Sequence, residues 1–537
     1  MNKRSIFLLL FIGLLFIVIG CTSDAEPDEE TVSEPTEENL DKTPEKSDDP
    51  SLSDTLNIAL NAQPPHLDAP RTAATASRDV SRLIFETLVT LNSNYQVQPM
   101  LAESFETDDN QTFIFHLRED ILFHNGETLT AEDVVASMVR WTESSQILGE
   151  IFIDAKWEAK DDYTVQLTLK EPSALALDMM ASPKEFAAIM PEDIVESATA
   201  EGVEEYVGTG PYELVEWKQD QYIHLKEYTD YQPLDMESDG LSGKKEALVE
   251  NIYFHIVNDA STRVAGLQTG EYDFSYMLPY DNYDQIETDE NLDTYLMPSG
   301  SMILQYNKGN DHITANFDVR RAINVGIDKD ALMLAAFPNE DSFNVQSSYM
   351  EKEIANWYSE AGSEFHNIND PELAKEILEE SDYNGEEVRV LASRDYDHHY
   401  NMGVVLHEEL SNIGINSVLD VYDWPTTNKI VLEDDTFEIF VVSLSTVSTP
   451  PQFLSLSSTW AGGVDNEDVL TELNNVQMSK TLEEGQETWE NLQHYLWEQY
   501  LPASVIGTYS DFFAANHKVE GITMTAGPIF WNVKVYE

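Results

Sequence analysis

The chain has 537 residues, 99 of them acidic against 30 basic, and a formal net charge of −69 at pH 7. A charge of that sign and size excludes nucleic acid and anionic lipid headgroups as partners, because both are held by Lys and Arg that neutralise phosphate. A single cysteine excludes a disulfide framework, which a chain this long does not need.

The first elements are at the N-terminus. Lys3 and Arg4 precede an apolar run of 14 residues from Ile6 to Ile19, then Gly20 and Cys21. A helix that crosses a bilayer needs about 20 apolar residues, so the run reads as a secretory signal rather than a membrane span. Val18-Ile19-Gly20-Cys21 resembles a bacterial lipobox. That resemblance implies a signal peptide over residues 1–20, cleavage before Cys21 and a diacylglycerol on its thiol. The only thiol then belongs to an anchor, which leaves none for a nucleophile or a thiolate zinc site. From Thr22 to Asp54 there are 13 acids, 2 lysines and only Val32, Leu40 and Leu52 as large apolar residues. Such a segment cannot bury enough apolar surface to offset its ordering entropy, and it reads as a disordered tether following Cys21. The folded body keeps a net charge of about −60, which suits a salty or alkaline exterior where counterions screen self-repulsion.

The remaining residues are too many for one core and predict two or more lobes. Strand-like runs alternate with helix-like ones. Leu56 to Leu60 is a short apolar strand. Thr112 to Leu117 and Thr164 to Leu169 alternate with period two, and Asn251 to Val257 and Phe437 to Val442 read as buried strands. Thr130 to Trp141 reads as a helix capped by Thr130 with Asp133 at its third position. Phe317 to Phe337 and Tyr400 to Ile413 read as longer amphipathic helices. The class is α/β with mixed sheets. Dinucleotide, nucleotide-phosphate, zinc-protease and serine-hydrolase signatures are absent, so no enzyme and no cofactor is expected. His398-His399 is the only adjacent histidine pair. Neighbouring side chains diverge, so the pair reads as loop surface rather than a metal site.

Five segments carry a family resemblance. They are Pro99 to Trp141 (PMLAESFETDDNQTFIFHLREDILFHNGETLTAEDVVASMVRW), Val207 to Tyr231 (VGTGPYELVEWKQDQYIHLKEYTDY), Val264 to Phe274 (VAGLQTGEYDF), Asp318 to Asp330 (DVRRAINVGIDKD) and Gly414 to Trp424 (GINSVLDVYDW). Together and in this order they resemble the oligopeptide, dipeptide and nickel-binding proteins of bacterial ABC importers, solute-binding family 5. The resemblance implies a two-lobed, cleft-type fold like that of periplasmic binding proteins, with an extra subdomain in a large first lobe. Lobe one would take residues 55–298 and 507–537, and lobe two residues 299–506. The ligand would sit between lobes that close by a hinge. The implied partners are a small solute, foremost a peptide, ABC permease subunits with cytoplasmic ATPases, and the membrane through the Cys21 lipid. A sensory or chaperone-like lipoprotein of the same fold is the alternative.

Ala392 to Asn401 (ASRDYDHHYN) is similar to the dipeptide-binding branch, which implies Arg394 as a carboxylate clamp and Tyr396 as a cleft wall. A guanidinium suits that role because its planar fork donates two parallel hydrogen bonds. The acidic stretch that anchors the peptide amine in that branch is missing: Ser443 to Phe453 reads SLSTVSTPPQF. Either Asp395 or Asp68 supplies an acid, or Thr446, Ser448 and Thr449 offer hydroxyls to an uncharged ligand. Thr72 and Thr75 lie at a family position that borders the cleft, and Trp424 is expected in the core or the cleft wall.

Overall fold

Short runs rich in Val, Ile, Leu and aromatic residues build the centre of the molecule. In chain order the principal strands are β1 (Thr55–Leu60), β2 (Ala102–Glu106), β3 (Thr112–Leu117), β4 (Lys156–Asp161), β5 (Thr164–Thr168), β6 (Tyr212–Lys218), β7 (Tyr222–Glu227), β8 (Asn251–Ile256), β9 (Phe274–Ser275), β10 (Leu292–Tyr306), β11 (Phe343–Val345), β12 (Val388–Ser393), β13 (Ser417–Tyr422), β14 (Ile439–Ser445) and β15 (Ala503–Asn516). The structure, a computed structural model, describes residues 51–537 except 146, 147, 149, 150, 185 and 461. The signal-like segment, Cys21 and the acidic stretch up to Pro50 lie outside the described residues.

Eleven strands form one mixed sheet in the order β13-β12-β14-β10-β15-β9-β1-β8-β7-β6, with β11 paired to β15. β1 is parallel to both β8 and β9, and β12 is parallel to β13 and β14. The long antiparallel pair β10 and β15 joins the two halves of the sheet. Its register shifts twice, between Pro298 and Gly300 and between Met302 and Ile303, where Ile506 is the extra residue on β15. Bulges of this kind bend and twist a strand pair locally. A separate antiparallel sheet runs β2-β3-β5-β4. On β3, Phe113 and Phe115 are buried as the period-two pattern requires, while Ile114 and His116 face outward.

Two large apolar clusters fill the molecule. One draws on residues 88–189 and 302–506, the other on residues 56–85, 186–297 and 513–535. At 186–190 the chain divides itself by alternation. Phe186, Ala188 and Met190 enter one cluster, while Ala187 and Ile189 enter the other. Residues 88–189 are stitched to the later part of the chain by Ala174 N donating to Ser479 O at 2.8 Å and Ser173 Oγ to Gln477 O at 2.8 Å.

The principal helices are α1 (Thr75–Ile84), α2 (Ala131–Ser144), α3 (Ala260–Thr269), α4 (Phe317–Gly326), α5 (Lys329–Ala336) and α6 (Asp397–Asn412). Thr130 caps α2, with its N–H donating to Asp133 Oδ2 at 2.9 Å. α3 ends at Gly270, whose φ of +75° is left-handed and favours glycine. The run Phe317 to Phe337, expected as one helix, is two. The chain leaves α4 after Gly326, and Asp328 Oδ1 accepts from Ala331 N at 3.0 Å to cap α5. The expected strand Phe437 to Val442 begins at Ile439, because Phe437 turns into the core before the ladder starts.

Candidate functional site

The site is built where the ends of many segments meet. α1 supplies Thr75 and Arg78, the strand pair β10 and β15 supplies Met297, Tyr509 and Asp511, and the turn before α6 supplies Tyr396. These residues line a cavity of about 300 Å³. The loop after β14 adds Thr446 and Ser448, with Ser443 and Ser445 at the end of the strand itself. Gln452 holds that loop in shape: its Oε1 accepts from the backbone N–H groups of Ser448 and Thr449, both at 3.1 Å.

One wall is aromatic. Phe337 stacks on Tyr509 with ring centres 5.1 Å apart and planes 9° from parallel, and His398 stacks on Phe337 at 5.4 Å. Tyr396 stands edge-on to Trp424 at 5.2 Å. His398 and His399 were expected on a loop surface. They lie in the first turn of α6, where His399 is buried and His398 lines the cavity. Ser443 N donates to His399 Nε2 at 2.9 Å, so that nitrogen is an acceptor and the ring is neutral. Burial lowers His398 to about 4, so it too is neutral near pH 7. Among the described residues no group of three potential ligands forms around them.

The charged groups come from both halves of the sheet. Arg78 Nε donates to Asp79 Oδ1 at 2.8 Å, and the Arg78 side chain is part of the cavity lining. Asp511 sits opposite Met297 on β15. Burial raises its carboxyl, and Ser299 and Arg78 pull it back in part. Glu351 is buried nearby, and burial pushes its carboxyl up to about 8. Asp178 faces a small adjoining pocket, where burial pushes it up to about 7. The arrangement can bind a small polar molecule with separated charges. Ser443 Oγ, in its lining, lies 3.0 Å from His399 Nε2 and 3.4 Å from His398 Nε2.

Of the residues expected at a site, Thr75, Tyr396, Thr446 and Ser448 line this cavity together. The others stand elsewhere. Arg394 is largely exposed and its Nη2 lies 3.4 Å from Asp423 Oδ2. Asp395 Oδ2 accepts from Trp424 N at 2.8 Å, and Trp424 packs over Phe440 at 6.3 Å. Thr72 Oγ1 accepts from Ala74 N at 3.1 Å, in the turn that leads into α1. Thr449 is buried, with its hydroxyl 3.2 Å from Gln452 Oε1. Asp68 is also buried and held by Arg140, whose Nη1 donates to Oδ1 at 2.9 Å. Sequence reasoning missed Arg78, Asp511, Tyr509 and His398. One signal was available: two arginines four apart, Arg78 and Arg82, on one helix of a chain poor in basic residues.

Comparison with known proteins places this geometry in context. A family described as "Bacterial extracellular solute-binding proteins, family 5 Middle" matches residues 96–465, more than half of the chain. The probable peptide ABC transporter periplasmic-binding protein y4tO of Sinorhizobium fredii is 28% identical over 491 residues, 87% of this chain and 91% of its own length. The glutathione-binding protein GsiB of Shigella flexneri is 30% identical over 359 residues, 65% of this chain and 66% of that protein. The ABC transporter substrate binding protein CtaP of Listeria monocytogenes has the same fold. Its TM-score is 0.77 at 20% identity, over 88% of this chain and 96% of that one. The fold is therefore the two-lobed α/β architecture of periplasmic binding proteins, and the chain belongs to the bacterial extracellular solute-binding proteins, family 5.

Proposed function

We propose that the chain is the lipid-anchored, extracytoplasmic binding subunit of an ABC importer. It captures a peptide or a related small solute between two closing lobes and delivers it to a membrane permease. Cys21 would carry the lipid, and the acidic tether would let the lobes work away from the membrane. The lobes are residues 55–298 with 507–537, and residues 299–506. Register breaks in β10 and β15, beside Pro298 and at Ile506, support a hinge at those two crossings.

The observation that carries this reading is the cavity itself. It is lined by tyrosines and hydroxyls, with Arg78 and Asp511 contributing opposite charges. Volumes of this order suit small solutes, and aromatic walls with a few placed polar groups are what such sites use. Relatives named for peptides and for glutathione point to the same solute class. The loop at 443–453 lacks an acid, and Asp511 takes its place as anchor for a ligand ammonium. Tyr396, Thr75, Thr446 and Ser448 form the contact surface. Arg394, paired with Asp423, stands at the approach.

The test is calorimetric titration of the full protein with dipeptides and their N-acetylated forms. Asp511→Asn is expected to weaken binding of the free-amine forms about 10- to 100-fold, as loss of a charge-assisted hydrogen bond does. Equal affinity of wild type and variant for free-amine peptides would remove Asp511 from the site.

A further inference from the structure

Among the described residues, eleven other than glycine hold a φ between +43° and +61°. Seven of them are Asn or Asp, whose short side chains tolerate the left-handed region. The other four are Tyr95, Met277, Leu501 and Ala526, and all but Leu501 line the main cavity. Strain of this kind persists only where the surroundings over-determine it, and it clusters where ligands are held.

The surroundings do so at all three positions. Arg263 Nη2 donates to Met277 O at 2.8 Å, Arg82 Nη2 donates to Ala526 O at 2.9 Å, and both arginines are buried. Tyr95 sits in the turn from Leu91 to Gln96, and its N–H donates to Asn92 O at 3.0 Å. Asn92 Oδ1 accepts from Asn94 N at 3.0 Å and from Gln96 N at 2.9 Å. The turn is tied in addition to residues 239–241. Leu241 N donates to Leu91 O at 3.0 Å, and Asp239 Oδ1 accepts from Ser93 N at 3.1 Å. Gly240 packs so closely on the turn that a Cβ there would lie 2.5 Å from Ser93 N. The Tyr95 ring is therefore carried on a fixed frame.

That ring stands at a boundary. Tyr95, Ile354 and Ser448 line both the main cavity of about 300 Å³ and a pocket of about 10 Å³ that also takes in Asp178 and Trp357. Residues common to two adjoining spaces form the partition between them, and Tyr95 has the largest side chain of the three. The pocket behind it has room for about one water.

We propose that Tyr95 is the length-determining residue of the solute site: its ring ends the cavity on the side of Asp178 and rejects a ligand one residue too long. This rests on the reading of the cavity as a peptide site. A longer ligand would have to displace a turn that is tied down, and a wall that cannot give way discriminates where a mobile side chain would not.

The test is competition among mixtures of di-, tri- and tetrapeptides for the full protein, read by native mass spectrometry, which resolves the bound length by mass. Wild type is expected to show a step, with occupancy falling at least about 10-fold beyond one length. Tyr95→Gly and Tyr95→Asn both suit a left-handed turn and remove the ring. Each is expected to raise occupancy by the next length about 10-fold, while Tyr95→Phe keeps the step. A step unchanged in a folded Gly or Asn variant would overturn the assignment. A crystal structure of wild type with the longest peptide it takes should place a terminal residue against the Tyr95 ring. A terminus elsewhere would overturn the assignment even if neither small variant folds. Peptides of all three lengths bound alike by wild type would sink the length limit alone. No peptide bound at any length would sink the cavity reading and the limit with it.

Discussion

At the scale of single residues, the acids around the cavity are the sensitive groups. Burial raises Glu351 to about 8 and Asp178 to about 7, and it raises Asp511 as well. A carboxyl raised on folding holds its proton in the folded state after the unfolded chain has released it. The stability it contributes is full below the ordinary carboxyl range of about 4, and it is lost as pH rises through about 7 to 8. The thermal midpoint of the ligand-free protein is therefore expected to fall between about pH 5 and pH 9. Glu351→Gln should flatten part of that slope, as followed by scanning fluorimetry at fixed ionic strength. A wild-type midpoint that stayed level across that range would contradict the assignment. At this scale little was legible in the sequence. Arg78 and Asp511 are separated by most of the chain, and no local pattern says that a helix start and a late strand share one cavity. Tyr396 and Thr75 were reached through family-like segments, and the same route led to Arg394, which the structure pairs with Asp423.

At the scale of elements, two buried arginines explain why short motifs keep their shape. Arg320 on α4 donates to the carbonyls of Leu501 at 2.9 Å, Tyr500 at 2.6 Å, Thr314 at 2.7 Å and Ala315 at 2.8 Å. Arg263 on α3 does the same for Tyr276, Val257, Asn258 and Met277, at 2.8 to 3.0 Å. Each ties a helix to chain turns that have no ladder partner of their own. Arg320→Met leaves four carbonyls without their donor and is expected to cost about 3 kcal/mol or more, measured as a lowered urea midpoint. A loss under about 0.5 kcal/mol would show that water satisfies those carbonyls. Elements were the most legible level. Period-two runs at 112–117 and 164–169 gave strands, because one face of each is buried and the other is not. The run 251–257, read as a buried strand, is a strand over Asn251–Ile256 with only Ile252 and Phe254 buried. α6 was read as starting at Tyr400, yet it begins at Asp397. His399, Met402, Leu406 and Leu410 share its buried face, so the helical period extended into the histidine pair.

At the scale of the whole molecule, charge and architecture set the behaviour. With 99 acids against 30 basic residues the surface repels itself, and salt screens exposed charges over about 10 Å at 0.1 M. The urea midpoint is expected to rise from low to molar sodium chloride, and a flat response would count against salt adaptation. The two-lobed class was legible because alternating strand and helix patterns span a chain too long for one core. The way residues 88–189 share an apolar cluster with residues 302–506 was not, since it depends on surfaces that only the folded chain brings together.

The central claim is that the cavity holds a small extracellular solute. Native mass spectrometry of the protein as purified, followed by calorimetric titration with a peptide mixture, tests it most directly. The account predicts one low-mass solute per chain, released on unfolding, and saturable binding of one peptide class that Asp511→Asn weakens. A protein that carries no solute and shows no heat with any peptide offered would contradict it.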